Sequence, residues 1–301
     1  MGRTLPCKEM LHTNTQKKIG LVVEGGGMKC AYNAGILDAF LDEQIQFDYC
    51  IGVSGGSGNL ASYLAGQRGR NLRFFTEHIH SPDYFGLKSL LKTGDLFGLK
   101  YIYGELTRAQ GKDPLDFPAL MKNPAEYEIV VTNARTGLPE YYGRERMQQD
   151  DYRLIMASSA IPVACHPVEL NGVPYFDGGL TDAIPVRRAL EQGCEKLVVI
   201  LSKNRDYVRK PQGMRKLYRR VCRSYPKIVE AIDRRHLAYN ENMKDVFSLE
   251  QQGTAFVFAA SEPIRVGTYS MNEEKERALY DLGLRDFSAQ QENLMAFLSD
   301  R

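Results

Sequence analysis

The sequence lacks a long hydrophobic run, and this absence limits how the protein can meet a membrane. No apolar stretch approaches the roughly 18 residues that a membrane-spanning helix needs, so none is expected. The first residues show no apolar segment typical of a secretory signal, and Pro6 stands where a myristoylation site needs serine or threonine. We therefore expect a cytoplasmic protein, with residues 1–17 as a polar leader and residues 18–301 as its folded domain.

Paired cysteines, repeats and low-complexity segments are missing as well. The six cysteines have neither CxxC spacing nor the pattern of a disulfide scaffold, so reduced thiols are expected and a zinc site is not. A chain of 301 residues, 43% of them hydrophobic, is long enough to bury one large core. A single domain without metal or other cofactor is therefore expected, and the sequence predicts no oligomeric state.

The formal net charge of +2 hides an uneven distribution. Residues 203–235 carry 12 Lys or Arg against 3 Asp or Glu, a local net charge of +9, which leaves −7 on the remainder. A predicted helix face within this segment contains Met214, Leu217, Tyr218, Val221 and Tyr225. One interpretation is peripheral contact with an anionic membrane, and the other is a helix packed on the core with a solvated basic face. Nucleic-acid binding is not expected, because no recognition motif accompanies the charge.

The first 70 residues alternate short apolar runs, glycine-rich turns and helical patterns. Residues 19–24 and 47–51 are typical of buried strands, and each is followed by glycines and a helical pattern. This order is typical of a parallel sheet with its loops at the carboxyl ends of the strands. Asn171-Gly172 predicts a hairpin, and residues 128–132, 196–201 and 254–259 are further predicted strands. The predicted fold is one α/β domain with a central, mostly parallel sheet flanked by helices.

The sharpest chemical feature is Gly52-Val53-Ser54-Gly55-Gly56, a G-x-S-x-G pattern between a predicted strand and a predicted helix. Such a turn exposes a serine at the edge of a sheet, and the small neighbours allow a close backbone approach. The N-terminus of the following helix adds a positive field beside it. Ser54 is therefore a candidate nucleophile, with a plain glycine-rich turn as the alternative.

A second glycine-rich loop contains Gly25, Gly26 and Gly27, followed by Met28 and Lys29. Backbone N–H groups at such a helix start can bind an anion, either a phosphate or an oxyanion. The phosphate-loop motif is absent, and Cys30 stands where G-x-G-x-x-G requires glycine. An oxyanion hole is favoured, because neighbouring parallel strands bring this loop close to Ser54. Lys29 is predicted to contact an anion or a head group, or to form a surface salt bridge.

A serine nucleophile needs a base, and two candidates follow it in the chain. His236 lies late enough for the order Ser, Asp, His, but no motif surrounds it. Asp177 lies in Tyr175-Phe176-Asp177-Gly178-Gly179, after a predicted strand and before two glycines. A carboxylate is a weak base at its ordinary pKa, so Asp177 must lie close to the serine and be partly desolvated.

These blocks, in this order, resemble those of the patatin-like phospholipases, and in particular the bacterial branch of that family. The resemblance covers residues 19–201 and includes Ala157-Ser158-Ser159-Ala160-Ile161-Pro162, which is similar to the family's A-S-x-A-x-P block. It implies an α/β fold with a Ser54–Asp177 dyad, no catalytic histidine, and an oxyanion hole from Gly25, Gly26 and Gly27. Residues 202–301 are then a C-terminal helical extension with one strand.

The implied activity is that of a metal-independent carboxylic ester hydrolase. Its implied substrates are phospholipids, lysophospholipids or neutral acylglycerols, cleaved through an acyl-enzyme. One departure is Cys30, which replaces the glycine that usually follows the basic residue of the first loop. Two alternatives stay open: a Ser–Asp–His esterase that uses His236, and a lipid-binding protein with a degenerate site.

Overall fold

The computed structural model describes residues 17–299, so the predicted leader lies outside the described residues apart from Lys17. The strands are β1 (Ile19–Val23), β2 (Tyr49–Val53), β3 (Glu126–Asn133), β4 (Pro139–Gly143), β5 (Val168–Leu170), β6 (Val173–Asp177), β7 (Lys196–Ile200) and β8 (Ala255–Phe258). The helices are α1 (Ala31–Asp42), α2 (Gly55–Leu64), α3 (Arg70–Thr76), α4 (Leu87–Thr93), α5 (Phe117–Lys122), α6 (Arg153–Ser159), α7 (Val186–Glu191), α8 (Arg215–Val221), α9 (Pro226–Gln251) and α10 (Glu273–Ser299). A π-helical segment spans Lys100–Leu106, and short 3₁₀ turns include Gly27–Cys30 and Gly178–Leu180.

The strands form one mixed sheet in the order β5-β6-β3-β2-β1-β7-β8, with β4 paired to β3. Strands β3, β2, β1, β7 and β8 are neighbours in this order and run parallel to one another. Strands β4 and β6 pair antiparallel with β3, and β5 pairs antiparallel with β6. The predicted α/β fold with a mostly parallel sheet is therefore confirmed. The predicted hairpin is also present, since Asn171 and Gly172 both have positive φ between β5 and β6.

Helices cover both faces of the sheet, because its central strands are apolar on both sides. Every residue of β1, β2 and β7 is buried. On one face, side chains such as Leu21 and Val23 share a core with α1 and α10. On the other, Val22 and Val53 pack with α7 and α9. The carboxyl ends of β1 and β2 therefore lie side by side, and the loops that follow them meet at one edge.

Strand β3 aligns the two remaining parts of the site. Its residues 128–130 pair with β2 and with β4, whereas residues 131 and 132 pair with β4 and with β6. Strands β2 and β6 therefore lie end to end along the same edge of β3. Val53 is paired with Val130, and Asp177 is paired with the next residue, Val131. The residue after β2 thus meets the last residue of β6.

The basic segment is less helical than its sequence predicts. Residues 203–214 form no helix, α8 ends at Val221, and α9 begins at Pro226. The helix breaks because the residue before a proline disfavours helical backbone, and Tyr225 accordingly has φ −131° and ψ 69°. The predicted helix face is therefore divided: Tyr218 is buried, whereas Met214, Leu217 and Val221 are exposed.

Candidate active site

Ser54 occupies a strained turn between β2 and α2. Its φ of 53° and ψ of −130° lie in a region that residues with a side chain rarely adopt, so the surrounding contacts must hold it. The Ser54 N–H donates to Ser158 Oγ at 2.8 Å, and Ser158 Oγ donates to the Val130 carbonyl at 2.7 Å. Ser57 Oγ donates to the Ser54 carbonyl at 2.6 Å. These bonds fix the serine over the end of the sheet.

Asp177 lies directly against this serine. Ser54 Oγ donates to Asp177 Oδ2 at 2.8 Å, and the Gly179 N–H donates to Asp177 Oδ1 at 2.7 Å. The two residues are buried, with 6% of Ser54 and 3% of Asp177 exposed. Burial raises the pKa of Asp177 above its ordinary value, and the positive charge of Arg235 opposes this rise in part. The structure thus brings the predicted nucleophile and base together.

The A-S-x-A-x-P-like block positions both members of this pair. Ser158 accepts the bond from Ser54, and the Ala160 carbonyl accepts a bond from the Asp177 N–H at 2.9 Å. Both residues are fully buried at the end of α6. The block therefore connects the nucleophile turn to the end of β6 through backbone and hydroxyl contacts.

The histidines lie elsewhere. Within residues 17–299, no histidine hydrogen-bonds to Ser54 or Asp177. His78 contacts Asp113, His166 contacts Asp95, and His80 contacts Glu273. Nδ1 of His236 is buried without a partner among the described residues, and His12 lies outside them. The geometry gives no support to a Ser–Asp–His arrangement.

The first glycine loop lies against the nucleophile. A Cβ on Gly25 would lie 2.7 Å from the Val53 carbonyl oxygen and 2.8 Å from Ser54 Cβ, so only glycine allows this approach. Gly27 has φ +59°, and a Cβ there would lie 2.5 Å from the Thr268 carbonyl oxygen. Across the described part of the chain, the N–H groups of Gly25, Gly26 and Gly27 have no hydrogen-bond acceptor. Three free donors therefore lie in the loop next to Ser54.

Residues from distant parts of the chain hold this loop. Ser202 Oγ donates to the Gly25 carbonyl at 2.7 Å, and the buried Glu24 carboxylate accepts from the Ser202 N–H and from Tyr239. From α2, Asn59 Nδ2 donates to the Cys30 carbonyl at 2.8 Å. Sequence analysis missed these residues, because none of them belongs to a local motif.

Cys30 does not distort the loop. Its φ of −67° is helical, so the position does not require glycine. The thiol is fully buried and lies 3.0 Å from where a Cβ on Gly55 would be placed. Burial raises its pKa to about 12, so the thiolate form is disfavoured. The departure from the family pattern therefore gives no reason to regard the site as degenerate.

Lys29 does not form the surface salt bridge that was one of its two predicted roles. It is half-buried, and its Nζ donates to Thr268 Oγ1 at 3.3 Å. No carboxylate in residues 17–299 forms an ion pair with it. Burial, followed by the charge of Lys203, lowers its pKa to about 8. Its amino group is therefore available beside the glycine loop.

An apolar cavity of about 70 Å³ opens beside Ser54. Most of its lining is aromatic or aliphatic, and includes Met28, Phe74, Phe75, Tyr84, Phe97, Leu99, Ile102, Tyr103 and Ile161. Gly27 and Gly55 also line it, so the glycine loop and the nucleophile turn form its polar end. In the described part of the chain, we find no group of His, Cys, Asp and Glu side chains that could hold a metal ion. Nor does that part contain a helix long and apolar enough to cross a membrane.

The family model of the patatin-like phospholipases matches residues 21–190. The chain belongs to this family. A second model, describing a domain of unknown function (DUF6363), matches residues 225–299. The resemblance predicted from the glycine loop, Ser54 and Asp177 is thereby confirmed.

The comparisons with individual proteins cover only part of each relative. The uncharacterized protein YjjU of Escherichia coli (strain K12) is 31% identical over 205 residues, which cover 67% of this chain and 57% of the relative. The chain thus matches little more than half the length of that curated relative. The crystal structure of VipD from Legionella pneumophila aligns with a TM-score of 0.47 and 15% identity, over 95% of this chain and 67% of that one.

Proposed function

We propose that the protein is a serine acyl hydrolase that cleaves fatty-acyl esters of lipids through a Ser54–Asp177 dyad. The observation that carries the proposal is the 2.8 Å hydrogen bond from Ser54 Oγ to Asp177 Oδ2 in a buried site. Family membership supports the reaction class, and the free N–H groups of Gly25, Gly26 and Gly27 support an oxyanion hole beside it.

In the proposed reaction, Ser54 Oγ attacks the ester carbonyl carbon while Asp177 takes the hydroxyl proton. The carbonyl oxygen becomes an oxyanion, and N–H groups of the Gly25–Gly27 loop stabilise it. The tetrahedral intermediate then collapses: the C–O bond to the alcohol breaks, and Asp177 returns the proton to the departing oxygen. Water, deprotonated by Asp177, attacks the resulting acyl-Ser54 and releases the fatty acid.

Burial of Asp177 suits it to the role of base. A carboxylate with an ordinary pKa holds a proton too weakly to take one from serine efficiently. Desolvation raises the pKa of Asp177, and the second hydrogen bond from Gly179 keeps Oδ2 directed at the serine. The apolar cavity next to Ser54 is the proposed site of the acyl chain, because most of its lining is aromatic or aliphatic.

We also propose peripheral contact with an anionic membrane through residues 203–235. Around α8, Met214, Leu217 and Val221 are 74%, 42% and 52% exposed. Basic residues, among them Arg219 and Arg220, alternate with these apolar side chains. Exposed apolar groups within a positive surface suit an interface with negatively charged lipid. The salt dependence of vesicle binding tests this contact.

The direct test of the dyad is labelling by a fluorophosphonate, which reacts with activated serines. The wild-type protein is expected to be labelled at Ser54, and Ser54→Ala is expected to lose labelling and ester hydrolysis while keeping its fold. Asp177→Asn should lower kcat by about 10²- to 10⁴-fold. Full turnover in a folded Ser54→Ala protein would refute the mechanism.

His236→Ala is the matched control for the alternative esterase mechanism. It should leave turnover nearly unchanged here, whereas a Ser–Asp–His enzyme would be disabled. Absence of labelling in the folded wild-type protein would favour the lipid-binding alternative. Activity on p-nitrophenyl esters, lysophospholipids and diacyl phospholipids then defines the substrate range.

A further inference from the structure

The region of unknown function reaches the proposed active site through α9. Arg235 lies in this helix, and its Nε donates to the Gly179 carbonyl oxygen at 2.7 Å. Gly179 is the residue whose N–H binds Asp177. Arg235 falls within residues 225–299 and outside the patatin match of residues 21–190. A segment beyond the patatin match therefore borders the dyad.

The two terminal nitrogens of Arg235 face this region without a counter-ion. Among the described residues, its guanidinium forms no ion pair, and Nε makes its only hydrogen bond. Nη2 lies 3.5 Å from the point that a Cβ on Gly179 would occupy, and Asp177 Oδ1 lies 3.0 Å from the same point. The guanidinium is therefore near the carboxylate but not neutralised by a direct contact.

Arg209 and Lys29 add two further cations with free hydrogen-bonding capacity. The Arg209 guanidinium lies over the Tyr239 ring at 4.8 Å, and its buried Nε has no partner among the described residues. Neither Arg209 nor Lys29 forms an ion pair within residues 17–299. Burial is the main cause of the lowered pKa of Arg235 and of Lys29, and the charge of Arg209 adds to the lowering of both. Arg209 therefore repels both groups, and a bound anion would relieve that repulsion.

A second cavity of about 180 Å³ gives an anion room beside Arg235. Its lining includes Gln212, Met214 and Tyr269 as well as Arg235. Ile161 lines both this cavity and the apolar cavity at Ser54, so the two cavities are neighbours at this residue. An ester bound at Ser54 can thus extend its acyl chain into one cavity and its polar part toward the other.

We propose that Arg235, assisted by Arg209 and Lys29, forms a subsite for the phosphate group of the lipid substrate. The proposal rests on the hydrolase function proposed above and narrows it to phospholipids or lysophospholipids in preference to neutral acylglycerols. A guanidinium binds a phosphate through two parallel N–H bonds, and the two terminal nitrogens of Arg235 are free to make them. The segment of unknown function then supplies head-group selection to the patatin-like part.

The test compares two soluble substrates that differ only in the phosphate-bearing group: dihexanoylphosphatidylcholine and dihexanoylglycerol, each used as monomers. The readout is the ratio of their kcat/KM values. Any effect that Arg235 exerts through the Gly179 carbonyl changes kcat/KM for both substrates by the same factor and leaves the ratio unchanged. Arg235→Gln should lower this ratio by about 10- to 100-fold, the usual loss for a charge-assisted hydrogen bond. Arg235→Lys should restore it in part, since it keeps the charge.

Arg234→Gln is the matched control, since Arg234 is the exposed neighbour on the same helix and its loss removes the same charge. It should leave the ratio unchanged. An unchanged ratio in Arg235→Gln would overturn the subsite. An equal loss of kcat/KM on both substrates, together with a shifted pH profile, would also overturn it, because this result indicates a purely structural role near Asp177. A wild-type enzyme that prefers dihexanoylglycerol would also overturn it while leaving the hydrolase intact.

Free phosphate separates a substrate subsite from a site for inorganic anions. Inorganic phosphate should inhibit wild-type hydrolysis of dihexanoylphosphatidylcholine competitively and should inhibit Arg235→Gln less. Inhibition that depends on Arg235, combined with an unaltered substrate ratio, would assign the site to a free anion and overturn the proposal. If the wild-type protein hydrolyses neither substrate and is not labelled by the fluorophosphonate, the hydrolase function itself is refuted.

Discussion

Replacement of Glu276 by glutamine should stabilise the fold at alkaline pH. The Glu276 side chain in α10 is fully buried and forms no ion pair among the described residues. Burial raises the pKa of Glu276 to about 7, and Ser270, the backbone of Asn272 and the charges of Lys29 and Lys275 oppose this rise only in part. An unfolded chain restores the ordinary glutamate pKa of about 4.3.

The sign and size of the effect follow from this difference. Between pH 4.3 and 7 the native state holds the Glu276 proton more tightly than the unfolded state, so stability falls as pH rises through this range. Because one pKa unit corresponds to about 1.4 kcal/mol, the ionised carboxylate costs the native state about 4 kcal/mol above pH 7. Glutamine has nearly the same shape and cannot ionise, so Glu276→Gln avoids this cost.

Urea denaturation of both proteins at pH 5 and pH 8.5 measures the difference. We expect similar unfolding free energies at pH 5 and an advantage of up to about 4 kcal/mol for Glu276→Gln at pH 8.5. The exposed Glu274 on the same helix offers a control, since Glu274→Gln should show no such pH dependence. An advantage of the same size at both pH values, or none at pH 8.5, would refute the reasoning.

Three further predictions concern the site. Because burial raises the pKa of Asp177, kcat/KM should decline with falling pH at a value above the ordinary aspartate pKa of about 4; a decline only below pH 4 would contradict this. Ser158→Ala leaves the Ser54 N–H without an acceptor, so a loss of about 1–3 kcal/mol in urea denaturation is expected, with a lower kcat. Val221→Ser should weaken binding to anionic vesicles but spare hydrolysis of monomeric esters, because Val221 is exposed and lines neither cavity; unchanged vesicle binding would argue against contact through α8.

The parallel core of the fold is predictable because its signals are local. Strands β1, β2 and β7 are short apolar runs next to glycines, and burial on both faces makes such runs continuous. Strand β4 escaped prediction because each of its residues is half-buried and shows no alternation. The antiparallel pairing of β6 to β3 depends on contacts that no local pattern encodes.

In the site, too, the residues in local motifs are predictable from the sequence and the others are not. Ser54 and Asp177 stand in glycine-flanked turns whose spacing is visible in the sequence. Arg235 and Thr268 reach the site from distant segments without any motif around them, so only the folded chain reveals them. The division of the basic segment was missed: the predicted helix face continued to Tyr225, although Pro226 disfavours helical backbone at that residue.

The end-to-end placement of β2 and β6 on β3 has a consequence for the order in which the protein becomes active during synthesis. A nascent chain that has formed β1, β2 and β3 contains Ser54 but still lacks Ser158, which holds its turn, and the proposed base. Asp177 arrives only when β6 pairs with Val131, and a pairing one residue out of register would direct its carboxylate to the opposite face. Emergence of a reactive serine on the ribosome would thus report correct docking of β6.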